Sequence, residues 1–206
     1  MPAHDLQAVC ADGKLFYQNG WMVGTAGNLS VREGADSFWI TASGRAKGEL
    51  KPDDFLQVPL DGEVRKRFVE KDKPSAETSL HQVIYRHFPD AGAIYHVHSV
   101  EAMLLSSMEP GELLRLAPIE MIKGFNIWEA DPKVDLWLFD NPPQVPLIAE
   151  ALDRRLQAGH PQIPAMLLRR HGITVWGKDP LQARHYVELI EFIFRYMVGA
   201  KRLGLS

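Results

Sequence analysis

Ala93-Ile94-Tyr95-His96-Val97-His98 is the stretch on which the reading of this chain turns. In an extended strand successive side chains alternate between faces, so His96 and His98 project together while Tyr95 and Val97 point into packing. Two imidazoles then converge on one point. Neutral imidazole is the commonest metal ligand, and zinc takes it at about 2.0–2.1 Å. Alternating histidines also occur on ordinary strands, so a firm site needs a third ligand from elsewhere. His171, in Arg169-Arg170-His171-Gly172, is the candidate, because Ala165–Leu168 and Ile173–Trp176 read as a hairpin-like pair around it. Three histidines with one position left open describe a catalytic zinc better than a closed structural one.

Outward from that strand, apolar spacing predicts an N-terminal helix ending near Asn19-Gly20, with Gly13 its weak point. Strands are expected after the Thr25–Asn28 turn, at Phe38–Thr41, at Phe55–Val58 and at Val134–Phe139, with Asp61-Gly62 as a hairpin turn. Leu80, Val83, Ile84, His87 and Phe88 form a helical stripe for which Ser75 is the expected N-cap. Further helices are expected at Val100–Ser107, at Pro146–Leu156 and from Asp179-Pro180 onward. Apolar residues nearly encircle the last one, from Tyr186 to Val198, so it is expected to meet a second subunit as well as its own core. Strands grouped between helices point to the α/β class: one domain over residues 1–206, a sandwich with a central, mainly antiparallel sheet flanked by helices.

The composition suits a globular chain: 206 residues, 46% hydrophobic, 24% charged, with a formal net charge of -3. So small a net charge argues for neither nucleic acid nor a membrane surface as partner. A single cysteine excludes an intrachain disulfide framework and fits a reducing compartment, and the start of the chain lacks a signal-peptide pattern, so cytoplasm is the expectation.

Two carboxylates invite acid/base roles. Glu77 opens the helix before the metal strand, where it also has the ordinary reading of a charge that stabilises a first turn. Glu120 stands beside Met121 and Ile122, where its ordinary reading is an exposed strand-end carboxylate. Near a metal in apolar surroundings, desolvation would raise a carboxyl pKa and the cation would lower it. The small turns supply Thr25, Gly27, Asn28, Ser43, Gly44 and Ser75, whose hydroxyl, amide and backbone donors suit a phosphate. Each of these turns is, singly, also just a turn, and neither a P-loop nor a dinucleotide fingerprint is present. Arg45 and Lys47 could add charge at the mouth of the site, though each reads first as a solvated loop cation. His4, His81, His87, His160 and His185 read as residues of helix surfaces or ends.

Gly27-Asn-Leu-Ser30, Thr41-Ala-Ser-Gly44, Lys73-Pro-Ser-Ala-Glu77, His96-Val-His98 and Arg170-His-Gly172 together resemble the zinc-dependent class II aldolase/adducin family over nearly the whole chain. The resemblance implies one zinc per subunit on His96, His98 and His171, a phosphorylated sugar as substrate, and a cyclic homotetramer with sites near subunit boundaries. Glu120-Met-Ile-Lys-Gly124, with Thr41–Arg45, is similar to the branch that dehydrates a methylthio-substituted pentulose 1-phosphate in methionine salvage. In that branch the glutamate matching Glu120 is the favoured acid/base, so Glu120 ranks first and Glu77 second. The aldolases carry two serines where this chain has Ser75-Ala76, which weakens the alternative of a sugar-phosphate aldolase or 4-epimerase. A metal-free, adducin-like scaffold ranks third, since it has no need of three histidines.

Overall fold

Nine strands form one sheet in the order β4-β3-β2-β1-β5-β9-β8-β7-β6. They are β1 (Asn28–Glu33), β2 (Ser37–Thr41), β3 (Phe55–Pro59), β4 (Lys66–Arg67), β5 (Ala93–Val97), β6 (Leu113–Arg115), β7 (Asp135–Phe139), β8 (Ala165–Leu168) and β9 (Ile173–Gly177). This computed structural model describes residues 2–205, with side chains described from Leu6 to Leu205; His4 lies outside the described side chains. Every neighbouring pair is antiparallel except β7–β8. The α/β sandwich with a mainly antiparallel sheet is therefore the fold.

The helices are α1 (Pro2–Gln18), α2 (Thr78–His87), α3 (Val100–Met108), α4 (Val145–Ala158) and α5 (Pro180–Arg202). They cover both faces of the sheet, which explains why all five residues of β5 are buried. Tyr95 and Val97 pack in the core shared with α1, α3 and α5, whereas Ile94 packs in the core shared with α2 and α4. Burying such a side chain contributes about 1.5–3 kcal/mol, so the strand that carries His96 is clamped from two sides. Position in the sheet then sets position in space. Asn28 pairs with His96, and Val97 pairs with Ile173, so the start of β1, the end of β5 and the start of β9 meet at one end of the sheet.

Several local expectations need correction. Ser75 is not the N-cap of α2; Glu77 holds that position, its side chain caps nothing, and the helix begins at Thr78. The Asp61-Gly62 turn is part of a longer loop, because β3 meets its partner only at Lys66–Arg67. That two-residue strand and β6 were too short to register as periodic patterns. Gly13 is no weak point of α1: a Cβ there would press on Leu50 and the Lys47 carbonyl, so the glycine lets the 3₁₀ turn Lys47–Glu49 pack against the helix. In α5, Val187, Ile190, Ile193 and Phe194 are buried within the chain, while Phe192 and Tyr196 remain about half exposed. No helix among the described residues is long and apolar enough to cross a membrane.

Glu191 also faces the core from α5, only 1% exposed. Burial pushes its carboxyl up to about 8, against the opposing effects of Ser99 and Arg195. A carboxyl whose folded pKa exceeds its unfolded one binds its proton more tightly when folded, so stability falls as pH rises from about 4.5 through 8. Glu191→Gln should flatten that dependence and stabilise the fold at pH 9 by on the order of 3 kcal/mol, read from denaturant melts at pH 5, 7 and 9.

Candidate metal centre

His96 lies fully buried at the end of β5, and His98 follows just beyond the strand, its backbone N–H donating to the Trp21 carbonyl at 2.8 Å. His171 arrives on the β8–β9 turn, where Arg170 takes a left-handed φ of 53° and the His171 N–H donates to the Leu168 carbonyl at 3.2 Å. Gly172 permits that approach, because a Cβ there would collide with the Val97 carbonyl. The three side chains meet: His96 Nε2 is 2.8 Å from His98 Nε2 and 3.3 Å from His171 Nε2. Nitrogens about 2.0–2.1 Å from one tetrahedral ion would be about 3.4 Å apart, so the cluster has nearly the spacing a zinc ion imposes.

Electrostatics favour the same reading. Burial, reinforced by the neighbouring imidazoles, holds His96 well below the usual histidine range. His98 is lowered to about 4 by burial, then by His171 and Lys47. His171 is lowered by burial against the opposing charge of Glu77. Near neutral pH, His96 and His98 are therefore held in the neutral form that a metal ligand needs. The Thr174 hydroxyl lies 2.9 Å from His96 Nδ1; with Nε2 free to ligate, Nδ1–H donates to it and fixes the ring. The donor set suits zinc and other divalent ions that accept imidazole.

Glu77 is the carboxylate that joins this cluster. Its Oε1 lies 3.7 Å from His171 Nε2, while Oε2 accepts from Asn28 Nδ2 at 2.8 Å and from Ser75 Oγ at 2.9 Å. Glu120, ranked first from the sequence, is not brought there within one chain. It opens the 3₁₀ segment Glu120–Phe125, its side chain is 80% exposed, and it pairs with Lys123 at 2.9 Å. The apolar neighbours that suggested a desolvated carboxyl turn inward instead: Ile122 is buried in the core and Met121 packs against it, while the glutamate faces out.

The turns expected to cradle phosphate are tied into one rim. Ser43 N–H donates to the Lys73 carbonyl at 2.9 Å, and Ala42 bridges Pro74, joining the second turn to the segment that leads to Glu77. Gly27 has a left-handed φ of 74°, and a Cβ there would collide with the His96 carbonyl. Thr25, Ser43 and Gly44 are exposed on this rim, whereas Asn28 and Ser75 spend hydrogen bonds on Glu77 rather than standing free.

Two residues depart from the first reading of the sequence. Lys47 is not a solvated cation: it is 1% exposed, and its Nζ donates to the Thr25 and Arg45 carbonyls at 2.9 and 2.8 Å. Burial lowers it to about 8 against the pull of Glu77 and Asp54, and an ammonium with two carbonyl acceptors keeps a third donor. Arg45 is spent on structure, its Nη2 donating to both carboxylate oxygens of Asp72 at 2.8 and 2.6 Å. The other such residue is His81, wholly buried behind Asn28. The spacing of Glu77 and His81 by four on a helix, opposite Asn28 and Ser30 two apart on a strand, was the available signal.

The family model "Class II Aldolase and Adducin N-terminal domain" matches residues 7–198. This chain belongs to the class II aldolase/adducin family. Among the family's members, a protein of Microcystis aeruginosa named methylthioribulose-1-phosphate dehydratase is 50% identical over 193 residues, 94% of each chain. One of the same name from Cronobacter sakazakii is 40% identical, covering 92% of this chain and 91% of its own. Among solved structures, L-fuculose-1-phosphate aldolase from Thermus thermophilus superposes with a TM-score of 0.77 at 26% identity, covering 98% of this chain and 97% of that one.

Proposed function

We propose that this chain dehydrates 5-methylthioribulose 1-phosphate to 2,3-diketo-5-methylthiopentyl 1-phosphate, a step of methionine salvage, as a cytoplasmic homotetramer with one zinc ion per chain. The observation that carries the reading is the three-imidazole cluster with Glu77 beside it, in a chain half identical to a relative of that name over 94% of its length.

The reaction removes the C3 proton and the C4 hydroxyl as water, and the resulting enol tautomerises to the diketone. A divalent cation on His96, His98 and His171 would supply Lewis acidity at the C2 carbonyl oxygen as C3 loses its proton. Glu77, held by Asn28 and Ser75 with Oε1 toward the cluster, is placed to carry a proton there. Lys47 and the rim donors of Thr25, Gly27, Ser43 and Gly44 take the phosphate and so orient C2 and C3, with Asn28 and Ser75 completing the rim.

Glu120 is assigned to the site of a neighbouring copy. Its exposed carboxylate shares a small cleft with Trp128, itself 68% exposed, and the exposed Phe192 and Tyr196 of α5 offer apolar surface for the contact between copies. Chains carrying Glu120→Gln and chains carrying His96→Ala are each expected to be inactive. Co-assembled in equal amounts they should recover about a quarter of parental turnover, the statistical share of sites in a cyclic ring that have both a metal and a neighbour's glutamate. No recovery in assemblies shown by mass spectrometry to be mixed would place Glu120 in its own chain's site or outside the chemistry.

The direct test of the activity is incubation with 5-methylthioribulose 1-phosphate. A product lighter by one water supports dehydration. Dihydroxyacetone phosphate with a methylthio aldehyde would make the chain an aldolase, and the absence of any reaction would remove this substrate.

A further inference from the structure

His81 sits in the middle of a row of hydrogen bonds that leads from the core to Glu77. Its Nε2 is 2.6 Å from Asn28 Oδ1 and its Nδ1 is 2.7 Å from Ser30 Oγ, which in turn lies 2.9 Å from the Tyr85 hydroxyl. Asn28, Ser30 and Tyr85 are buried with it, so water does not supply alternative partners. Burial also lowers the imidazole to about 3, which keeps the ring neutral with a single proton.

Chemistry then fixes the place of each proton. The Glu77 carboxylate needs a donor, so Asn28 presents Nδ2 to it and turns Oδ1 toward His81. An amide oxygen only accepts, so the proton of His81 is on Nε2 and its Nδ1 accepts from the Ser30 hydroxyl. With the Ser30 proton used, the Tyr85 hydroxyl donates to Ser30 Oγ. The row has one direction: Tyr85 to Ser30, Ser30 to His81, His81 to Asn28, Asn28 to Glu77. Were His81 protonated on Nδ1 instead, Asn28 would have to offer Nδ2 to the ring and set its oxygen against the carboxylate.

We propose that His81 is a positioning residue: as the Nε2–H tautomer it locks the Asn28 amide, and through Asn28 it holds Glu77 with Oε1 turned toward the metal imidazoles. This rests on the reading of Glu77 as a proton carrier at that site. His81 makes no hydrogen bond to the three imidazoles and meets the site only at Asn28, so its effect on catalysis passes through that residue.

Two substitutions separate this role from plain core packing. The glutamine of His81→Gln extends to where Nε2 lies and keeps a donor for Asn28; the asparagine of His81→Asn reaches only the Nδ1 position and keeps the bond to Ser30. His81→Gln should retain kcat within about threefold, whereas His81→Asn should lose about 10–100-fold in kcat with KM and zinc content unchanged, the usual scale for a partner that orients a site residue. Equal losses in the two variants, or losses that follow their melting temperatures, would overturn the proposal. The ring can also be observed without substrate. Long-range ¹H–¹⁵N spectra of the zinc-loaded parent should show the His81 Nε2–H tautomer at every pH where the protein is folded, and an Nδ1–H pattern would refute the proposal. That readout stands even if 5-methylthioribulose 1-phosphate proves not to be the substrate, so a failure of one reading is distinguishable from a failure of the other.

Discussion

His96→Ala is expected to leave a folded chain that binds no stoichiometric zinc and turns over the substrate at least about a thousandfold more slowly than the parent. The reasoning begins with position. His96 is the nitrogen that both other ligands face, at 2.8 Å from His98 and 3.3 Å from His171, and its ring is fixed by Thr174. Removing it leaves two imidazoles and one open side, and two neutral ligands no longer hold the ion at working concentrations. Lewis acidity at a developing oxyanion is worth several kcal/mol, and each 1.36 kcal/mol is tenfold in rate, which sets the size of the loss. Thr174→Val is the companion: it spares the ligand and removes only its orienting partner, so zinc affinity should fall about 10–100-fold. Plasma emission analysis of the purified chains gives the metal content, and parental zinc in His96→Ala would remove this cluster from the metal site.

Glu77→Gln should retain both fold and zinc yet lose about 10²–10⁴ in kcat, the range for removing a positioned acid/base. The amide oxygen of glutamine still accepts from Asn28 and Ser75, as Oε2 does now, so the rim and the start of α2 are preserved. What disappears is the proton-accepting oxygen 3.7 Å from His171 Nε2. Single-turnover measurement with zinc content checked in the same sample isolates the chemical step from metal loss. Parental turnover would strike Glu77 from the reaction and leave Glu120 to move the proton.

The three-histidine cluster was legible in the sequence because local geometry alone brings the side chains close. Alternation along β5 puts His96 and His98 on one side, and a two-strand turn places His171 at the same end of the sheet. The antiparallel order was legible for a related reason, since short apolar runs separated by Gly- and Asn-containing turns leave little room for crossover helices. Glu120 misled because apolar neighbours in sequence say nothing about which way a 3₁₀ turn faces, and here Ile122 and Phe125 took the inner side. The burial of Lys47 was illegible for a tertiary reason: the turn that carries it packs against α1 at Gly13, and its ammonium donates to the Thr25 and Arg45 carbonyls. Ser75 lost the cap of α2 because the helix begins only at Thr78, after Glu77, and the serine hydroxyl donates to the Glu77 carboxylate.

One cysteine bears on handling rather than on mechanism. Cys10 is free and half-buried, and burial pushes its thiol up to about 11, so it stays protonated and slow to react while zinc is removed and restored.

The central claim is that metal on His96, His98 and His171 drives loss of water from 5-methylthioribulose 1-phosphate. Zinc titrated back into chelator-stripped protein, with product mass followed at each addition, tests it most directly. The dehydrated product should rise in proportion to zinc and level off at one ion per chain. Full turnover by the stripped protein, or products of carbon–carbon cleavage as zinc returns, would contradict it.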